Sequence, residues 1–276
     1  MIEIDNLSYS YGKNTVLQGI TMKMEPGKIY GLLGENGVGK TTLLTIMCGL
    51  KAPQAGSVKV GEADPFKREP SALSSQYYLA DEVSAPRQKA IDWANTNGAF
   101  WPDYSEENFK AMMEEFCVSL DQKMKTMSAG QLKKTHIAFA LASGARYIFM
   151  DEPTNGLDIP GKTQFRSAIM RFTPEDSTIV ISTHQVKDLE NLIDPIIILD
   201  RQDVLLNASI EEITSKLFFD YGTTFHPESL FTEQLPGGFI QVYPNQTGAE
   251  SKVNLEVLFN AVAKNRTVIK TLFEQK

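Results

Sequence analysis

The rhythm of hydrophobic and polar positions changes several times along the 276-residue chain. Residues 2–7 alternate as a half-buried strand does, and a second strand-like run covers about Val16–Met24 after the turn Ser8-Tyr9-Ser10-Tyr11-Gly12. Glu25-Pro26-Gly27 then turns the chain into Lys28–Leu33, a short apolar run suited to a buried strand, and Leu43–Met47 opens a helix. Further short strands are expected at Ser57–Val60, Gln76–Ala80, Tyr147–Met150 and Thr178–Ser182. Helical spacing at Arg87–Asn97 and Ser105–Phe116, around Phe100-Trp101-Pro102-Asp103-Tyr104, marks a helical insertion over 86–127. A third helix runs through Ile137, Ala138, Leu141 and Ala142 and extends this helical subdomain to about 86–145. Trp93, Phe100, Trp101 and Tyr104 are expected to form its core. Asp194–Leu199 and Val204–Leu206 read as a hairpin, and Ile210–Leu217 as a helix. Beyond Asp220 the signals thin to a strand at Gly237–Tyr243 and a helix at Leu255–Ala263, a small α/β tail.

Composition narrows the class. Apolar residues at 42% and charged residues at 22% are ordinary for a globular protein, and a net charge of −7 argues against a protein that coats nucleic acid. No apolar run approaches the roughly 20 residues needed to cross a bilayer, and the N-terminus Met1-Ile2-Glu3-Ile4-Asp5 lacks the basic-then-apolar order of a signal peptide. A cytosolic chain is expected. Cys48 and Cys117 stand apart with no Cys/His cluster, so they are expected to be buried free thiols and not disulfide or zinc ligands.

The chemistry concentrates in Gly34-Glu35-Asn36-Gly37-Val38-Gly39-Lys40-Thr41-Thr42, which fits a Walker A loop in full, between a strand and a helix as that loop requires. Its glycines let successive backbone N–H groups point at a β-phosphate, and the helix adds its positive dipole end. Lys40 would reach the β- and γ-phosphates, and Thr41 would offer its hydroxyl to a Mg²⁺ ion bridging them. Tyr147-Ile148-Phe149-Met150-Asp151-Glu152 reads as a Walker B strand ending in two carboxylates. Successive side chains of a strand face opposite ways, so one carboxylate can face the metal and the other can polarise an attacking water. Tyr11 offers a ring that could stack on adenine, and Ser128 with Gln131 has capping-box spacing. Asp158 is a plausible cap for a helix entered at Pro160, and His184 lies just past a strand's carboxyl end, where open α/β sheets place ligands.

With these residues assembled, the chain over about 1–215 resembles the nucleotide-binding domain of ATP-binding cassette (ABC) transporters. Met127-Ser128-Ala129-Gly130-Gln131 is similar to that family's Leu-Ser-Gly-Gly-Gln signature. The resemblance implies a P-loop NTPase core with a mainly parallel sheet, an N-terminal antiparallel β subdomain, the helical insertion and a small C-terminal extension, divided at 1–217 and 218–276. It further implies that ATP and Mg²⁺ bind, that two ATPase subunits, as a homodimer or a heterodimer, pair head to tail, and that Ser128, Gly130 and Gln131 of one cap ATP on the Walker A loop of the other. By the same resemblance Tyr11 stacks on adenine, Gly34, Asn36, Gly37, Gly39 and Thr42 belong to the phosphate loop, Asp151 serves the metal and Glu152 is the catalytic base. Asp158 falls at the loop that communicates across the dimer, and His184 at the switch histidine that contacts the γ-phosphate. Asp81 stands where the family usually has Gln, a shorter and charged side chain at the position that couples to the membrane partner.

Weaker likenesses at Phe100–Tyr104, Ser128–Lys134 and Asn254–Phe259 are similar to the bacterial exporter branch that includes Ytr-type ATPases. This implies a subunit held at the inner face of the cell membrane by a separately encoded permease, exporting a drug, peptide or envelope-related compound. The alternative is an ABC ATPase acting on nucleic acid or ribosomes. The short interval between Lys40 and Asp151 leaves no room for chromosome-type coiled-coil arms, and two isolated cysteines cannot form a repair-type zinc cluster. A module that binds nucleotide without turnover would lack a catalytic group, yet Glu152 and His184 are both present.

Overall fold

The computed structural model describes residues 1–200 and 202–274; Arg201 and the last two residues of the expected extension lie outside the described residues. The chain opens with β1 (Ile2–Tyr11) and β2 (Asn14–Met24), paired antiparallel with Ile2 opposite Met24. The alternation that marked them places Ile2, Ile4, Leu7, Met22 and Met24 inside. Next come β3 (Ile29–Leu33), α1 (Lys40–Met47) and β4 (Ala55–Val60), which returns to β1 and completes a three-stranded antiparallel sheet. The short α2 (Pro70–Ser74) leads into β5 (Gln76–Leu79).

The insertion contributes α3 (Ala90–Gly98) and α4 (Glu106–Glu115), followed by α5 (Ala129–Ala142). Phe139 of α5 is 1% exposed and sits among Tyr77, Trp93, Trp101 and Tyr104, with ring centroids 4.8–5.7 Å away. These rings hold the helices to the edge of the central sheet, as expected for a subdomain core. Phe100 differs, because it lies outside that core at 70% exposure.

After α5 the chain alternates strand and helix: β6 (Tyr147–Asp151), α6 (Ile159–Phe172), β7 (Thr178–Thr183), β8 (Ile196–Asp200), β9 (Asp203–Ala208) and α7 (Ile210–Lys216). The central sheet has the order β5-β6-β7-β3-β8-β9, parallel except for the β8–β9 hairpin. Both of its faces are covered, which explains the unbroken apolar runs. Tyr147, Phe149 and Val180 pack toward α1 and the N-terminal sheet, whereas Ile148, Met150 and Ile181 pack toward the helical side.

The remaining residues form β10 (Leu217–Gly222), β11 (Phe231–Leu235), β12 (Gly238–Pro244), α8 (Leu255–Lys264) and α9 (Arg266–Glu274). The strands make an antiparallel sheet ordered β10-β12-β11, and α8 covers it. This unit shares the hydrophobic core of the rest, since Ile240, Val242, Leu258 and Ala261 belong to the same buried cluster as Ile198 and Leu205. Lys270 pairs with Asp203 and Arg266 with Asp200, tying α9 to the β8–β9 hairpin. The strands β10 and β11 and the helix α9 are additions to the sequence reading. Cys48 is buried as expected, but Cys117 is exposed, placed by a left-handed turn (φ 54°) just past α4.

Candidate functional site

The sheet order determines which residues meet. With β7 between β3 and β6, the carboxyl ends of three strands lie side by side: Leu33 is level with Thr183, and Asp151 with Ser182. Each strand end delivers one piece of the site, namely the glycine loop after β3, the carboxylates of β6 and His184 after β7. This edge is where parallel sheets hold ligands.

The glycine loop wraps the start of α1. Gly37 and Gly39 have φ of 82° and 110°, a region closed to most side chains, and a Cβ on Gly34 would stand 2.6 Å from the Leu199 carbonyl. The loop is therefore glycine-bound for conformational reasons at two positions and for space at a third. Lys40 opens α1 with its side chain only 6% exposed; Nζ donates to the carbonyls of Gly34 (2.8 Å) and Glu35 (3.1 Å) and stands 3.7 Å from Glu152. Burial lowers the lysine's pKa, with Glu152 and Asp151 opposing that effect.

Asp151 is the last residue of β6 and is 3% exposed. Thr41 donates to its Oδ2 at 2.6 Å, and the Ser182 hydroxyl donates to its Oδ1. Tyr78 reaches Oδ2 from β5 at 3.5 Å. Glu152 leaves the strand in a left-handed conformation with φ 46°. Its divergence from Asp151 thus comes from this backbone turn and not from strand alternation alone. Its N–H donates to the Ser182 carbonyl and hydroxyl, at 3.1 and 3.2 Å. Its Oε1 lies 2.9 Å from His184 Nδ1, and its Oε2 accepts the His184 backbone N–H at 3.4 Å. A carboxylate at the edge of an open cavity is chemically able to accept a proton from a water.

That cavity has a volume of about 540 Å³ and is lined by Tyr11, Lys40, Thr41, Asp81, Asp151 and Glu152, with Asn36, Gly37, Gly39 and Thr42 also on its wall. Tyr11 is 48% exposed at the end of β1; its hydroxyl lies 3.2 Å from Thr42 and accepts from Lys51 at 2.6 Å. The tyrosine is thereby oriented beside the phosphate loop with much of its surface free.

A family model described as ABC transporter matches residues 17–155, which span the glycine loop and both Walker B carboxylates. The chain belongs to the ABC transporter family. It is similar to the lantibiotic transport ATP-binding protein SrtF of Streptococcus pyogenes, 29% identical over 70% of this chain and 84% of that protein. It is also similar to the linearmycin resistance ATP-binding protein LnrL of Bacillus subtilis, 25% identical over 79% of this chain and 72% of the relative. The Nod factor export ATP-binding protein I of Paraburkholderia xenovorans is 28% identical over 82% of this chain and 77% of its own length. Among solved structures, the fold matches an ATP-binding subunit of an ABC transporter with a TM-score of 0.70 at 21% identity, covering 77% of this chain and 91% of that one. The chain is an ABC ATPase, an ATP-binding subunit of the transporter type.

In this ABC ATPase the expected signature residues Ser128, Gly130 and Gln131 stand apart from the cavity wall, at the start of α5. Ser128 caps the helix: its hydroxyl accepts from Gln131 N–H at 3.2 Å while Gln131 Oε1 accepts from Ser128 N–H at 3.0 Å. Asp158 caps α6 through a 2.9 Å bond from Gly161 N–H. Gly130 lies against the loop before α6, where an added Cβ would stand 3.3 Å from the Gly156 carbonyl.

Sequence reasoning missed several participants. Ser182 and Tyr78 hold Asp151, and the only local signal was their place on strands bound for the site edge. Asn155 donates to Asp81 and accepts from Gln185, whose Nε2 also approaches His184 Nε2 at 3.4 Å. Lys133, 3% exposed, donates to the Asp81 carbonyl at 2.7 Å, and burial lowers its pKa while the Asp81 charge opposes this. Asp81 is thus tied to α5 and, through Asn155 and Gln185, to His184.

Proposed function

We propose that this chain is the ATP-hydrolysing subunit of a bacterial exporter and works a separately encoded membrane permease. Support comes from the printed roles of its relatives, which serve lantibiotic transport, linearmycin resistance and Nod factor export. No helix among the described residues is long and apolar enough to cross a membrane, consistent with a permease supplied by another chain at the inner face of the membrane. The cargo is proposed to be a drug, peptide or envelope-related compound.

In this reading the glycine loop, Lys40 and Thr42 bind the ATP phosphates, and Tyr11 stacks on the adenine. Thr41 and Asp151 would hold a Mg²⁺ ion, because two hard oxygens converge at 2.6 Å beside the cavity. When bound, Mg²⁺ would neutralise charge on the β- and γ-phosphate oxygens. Glu152 receives the proton of the attacking water. His184 donates from Nδ1 to Glu152, which fixes that carboxylate's aim, and its Nε2 side accepts from Gln185. Ser128, Gly130 and Gln131 act on the ATP of a second ATPase subunit paired head to tail, with the N-terminus of α5 offering donors and a positive dipole end to a γ-phosphate. Asp158 serves communication across that pair, and Asp81 serves coupling to the permease. Residues 1–217 form the ATPase domain and 218–276 an extension fused to it.

The observation that carries the reading is the position of Glu152 between Lys40 and His184 at the cavity edge. Its test is single-turnover hydrolysis of radiolabelled ATP by Glu152→Gln. ATP binding should persist while hydrolysis slows by about 10²–10⁴-fold, the ordinary contribution of a general base. Wild-type turnover would remove Glu152 from the role.

A further inference from the structure

Four carboxylates, those of Asp81, Glu82, Asp151 and Glu152, line the nucleotide cavity against one amine, that of Lys40, among the described residues of its wall. Such a wall repels a triphosphate unless its charges are offset. Asp151 is held by the hydroxyls of Thr41 and Ser182, and Glu152 lies between Lys40 and His184. Asp81 and Glu82 have no such part in the chemistry, and of these two only Asp81 has a buried cation behind it. The hydrogen bonds that the Asp81 carboxylate accepts come from the uncharged amide of Asn155.

The cation is Lys133, on the second turn of α5 and 3% exposed. Its Nζ is surrounded by oxygens of the segment that follows β5: the Asp81 carbonyl at 2.7 Å, the Ala80 carbonyl at 3.3 Å and Asp81 Oδ1 at 3.5 Å. The three N–H bonds of the ammonium are thereby used, and the carboxylate is the counter-charge that a buried amine requires. Fastening this segment to α5 does not itself need a charge. One turn further along α5, His136 donates from Nε2 to the Ser84 carbonyl at 2.8 Å and packs on Trp93 with ring centroids 4.7 Å apart. Burial lowers the pKa of His136, so this second anchor works as an uncharged ring. Burying an ammonium is costly, and a position that needed only an anchor would not call for one.

We propose that Lys133 is a positioning residue for nucleotide binding, whose buried charge cancels that of Asp81 so that this carboxylate offers its oxygens on the cavity wall without repelling ATP. The two side chains act together as one neutral polar group. This inference rests on the reading of the cavity as the ATP site.

The test is calorimetric binding of a non-hydrolysable β,γ-imido analogue of ATP with Mg²⁺ to the full chain, at low and at high salt, with denaturant midpoints to establish that each variant is folded. Lys133→Gln keeps a donor for the carbonyls and removes the charge. It should weaken binding about tenfold at low salt, with a loss that narrows at high salt and is smaller for ADP, as a charge effect must be. Asp81→Asn combined with Lys133→Gln, uncharged at both positions, should bind within about threefold of wild type. Wild-type binding by Lys133→Gln would overturn the inference, as would a loss that salt does not change or that the added Asp81→Asn does not repair. Asp81→Asn alone is an independent arm, on a side chain 45% exposed where the fold should persist. It leaves the Lys133 charge unopposed and should tighten binding at low salt; unchanged or weaker binding would overturn the inference. Lys40→Ala separates the two readings: unchanged affinity in that variant would overturn the cavity assignment and this inference together, whereas lost affinity without coupling between Asp81 and Lys133 would overturn this inference alone.

Discussion

The side-chain amide of Asn155 reaches both carboxylate oxygens of Asp81, at 3.3 and 3.4 Å, while its own carbonyl accepts from Gln185 at 3.2 Å. The position expected to couple with a membrane partner is thus linked, two side chains on, to the residue next to His184. Neither Asn155 nor Gln185 lines the nucleotide cavity. Asn155→Ala should therefore lower kcat by at least about two- to tenfold, the worth of a single one of the hydrogen bonds it removes, with the KM for ATP nearly unchanged. Steady-state kinetics decide this; a rise in KM alone would mean that Asn155 acts on binding.

Ser182 presents one hydroxyl to two neighbours, donating to Asp151 and accepting from the Glu152 N–H. Ser182→Ala leaves a buried carboxylate oxygen unpaired and should cost about 1–3 kcal/mol of stability in chemical denaturation. It should also weaken the Mg²⁺ dependence of ATP binding more than nucleotide binding without metal, because Asp151 loses its orientation.

Lys40 gives a pH signature. Burial holds the free protein's Lys40 below the ordinary lysine value of 10.5, and a bound triphosphate restores a counter-charge and raises it again. Binding therefore takes up protons on the alkaline side. ATP affinity should be flat below the free-state pKa of Lys40 and fall as pH rises through it, starting below pH 10.5. Calorimetry in buffers of different ionisation enthalpy measures the proton uptake, and release of protons in that range would refute the assignment.

Phe139→Ala should destabilise the chain by about 3–5 kcal/mol, since it empties the centre of the aromatic cluster that fastens the helical insertion. Denaturant midpoints of this variant and of the exposed Phe100→Ala, expected within about 0.5 kcal/mol of wild type, provide the comparison.

What the sequence disclosed was mostly local. The glycine loop needs its glycines for backbone reasons, the capping box lies within four residues, and buried strands announce themselves as apolar runs, so these were legible. The supports of Asp151 and Asp81 were not, because Ser182, Tyr78 and Lys133 reach them across 31, 73 and 52 positions of chain that only the sheet order brings together. The left-handed Glu152 has no sequence signal, since glutamate is an unusual occupant of that conformation. β10 and β11 were lost because β10 sets apolar Phe218 beside the buried Leu217 and Phe219, which hides its alternation, and β11 has no buried side chain to give it a pattern. Phe231 and Phe259 line one cavity with Glu35 and His184, a grouping that only the fold brings about.

The central proposal, that a second ATPase subunit completes the ATP site and that a second copy of this chain can serve as that subunit, is tested most directly by size exclusion with light scattering on Glu152→Gln, with and without ATP and Mg²⁺. The account requires a shift from monomer to dimer that depends on ATP and is lost when Ser128→Arg is added, although ATP still binds. A Glu152→Gln protein saturated with ATP yet monomeric, or a Ser128→Arg variant that dimerises normally, would contradict it.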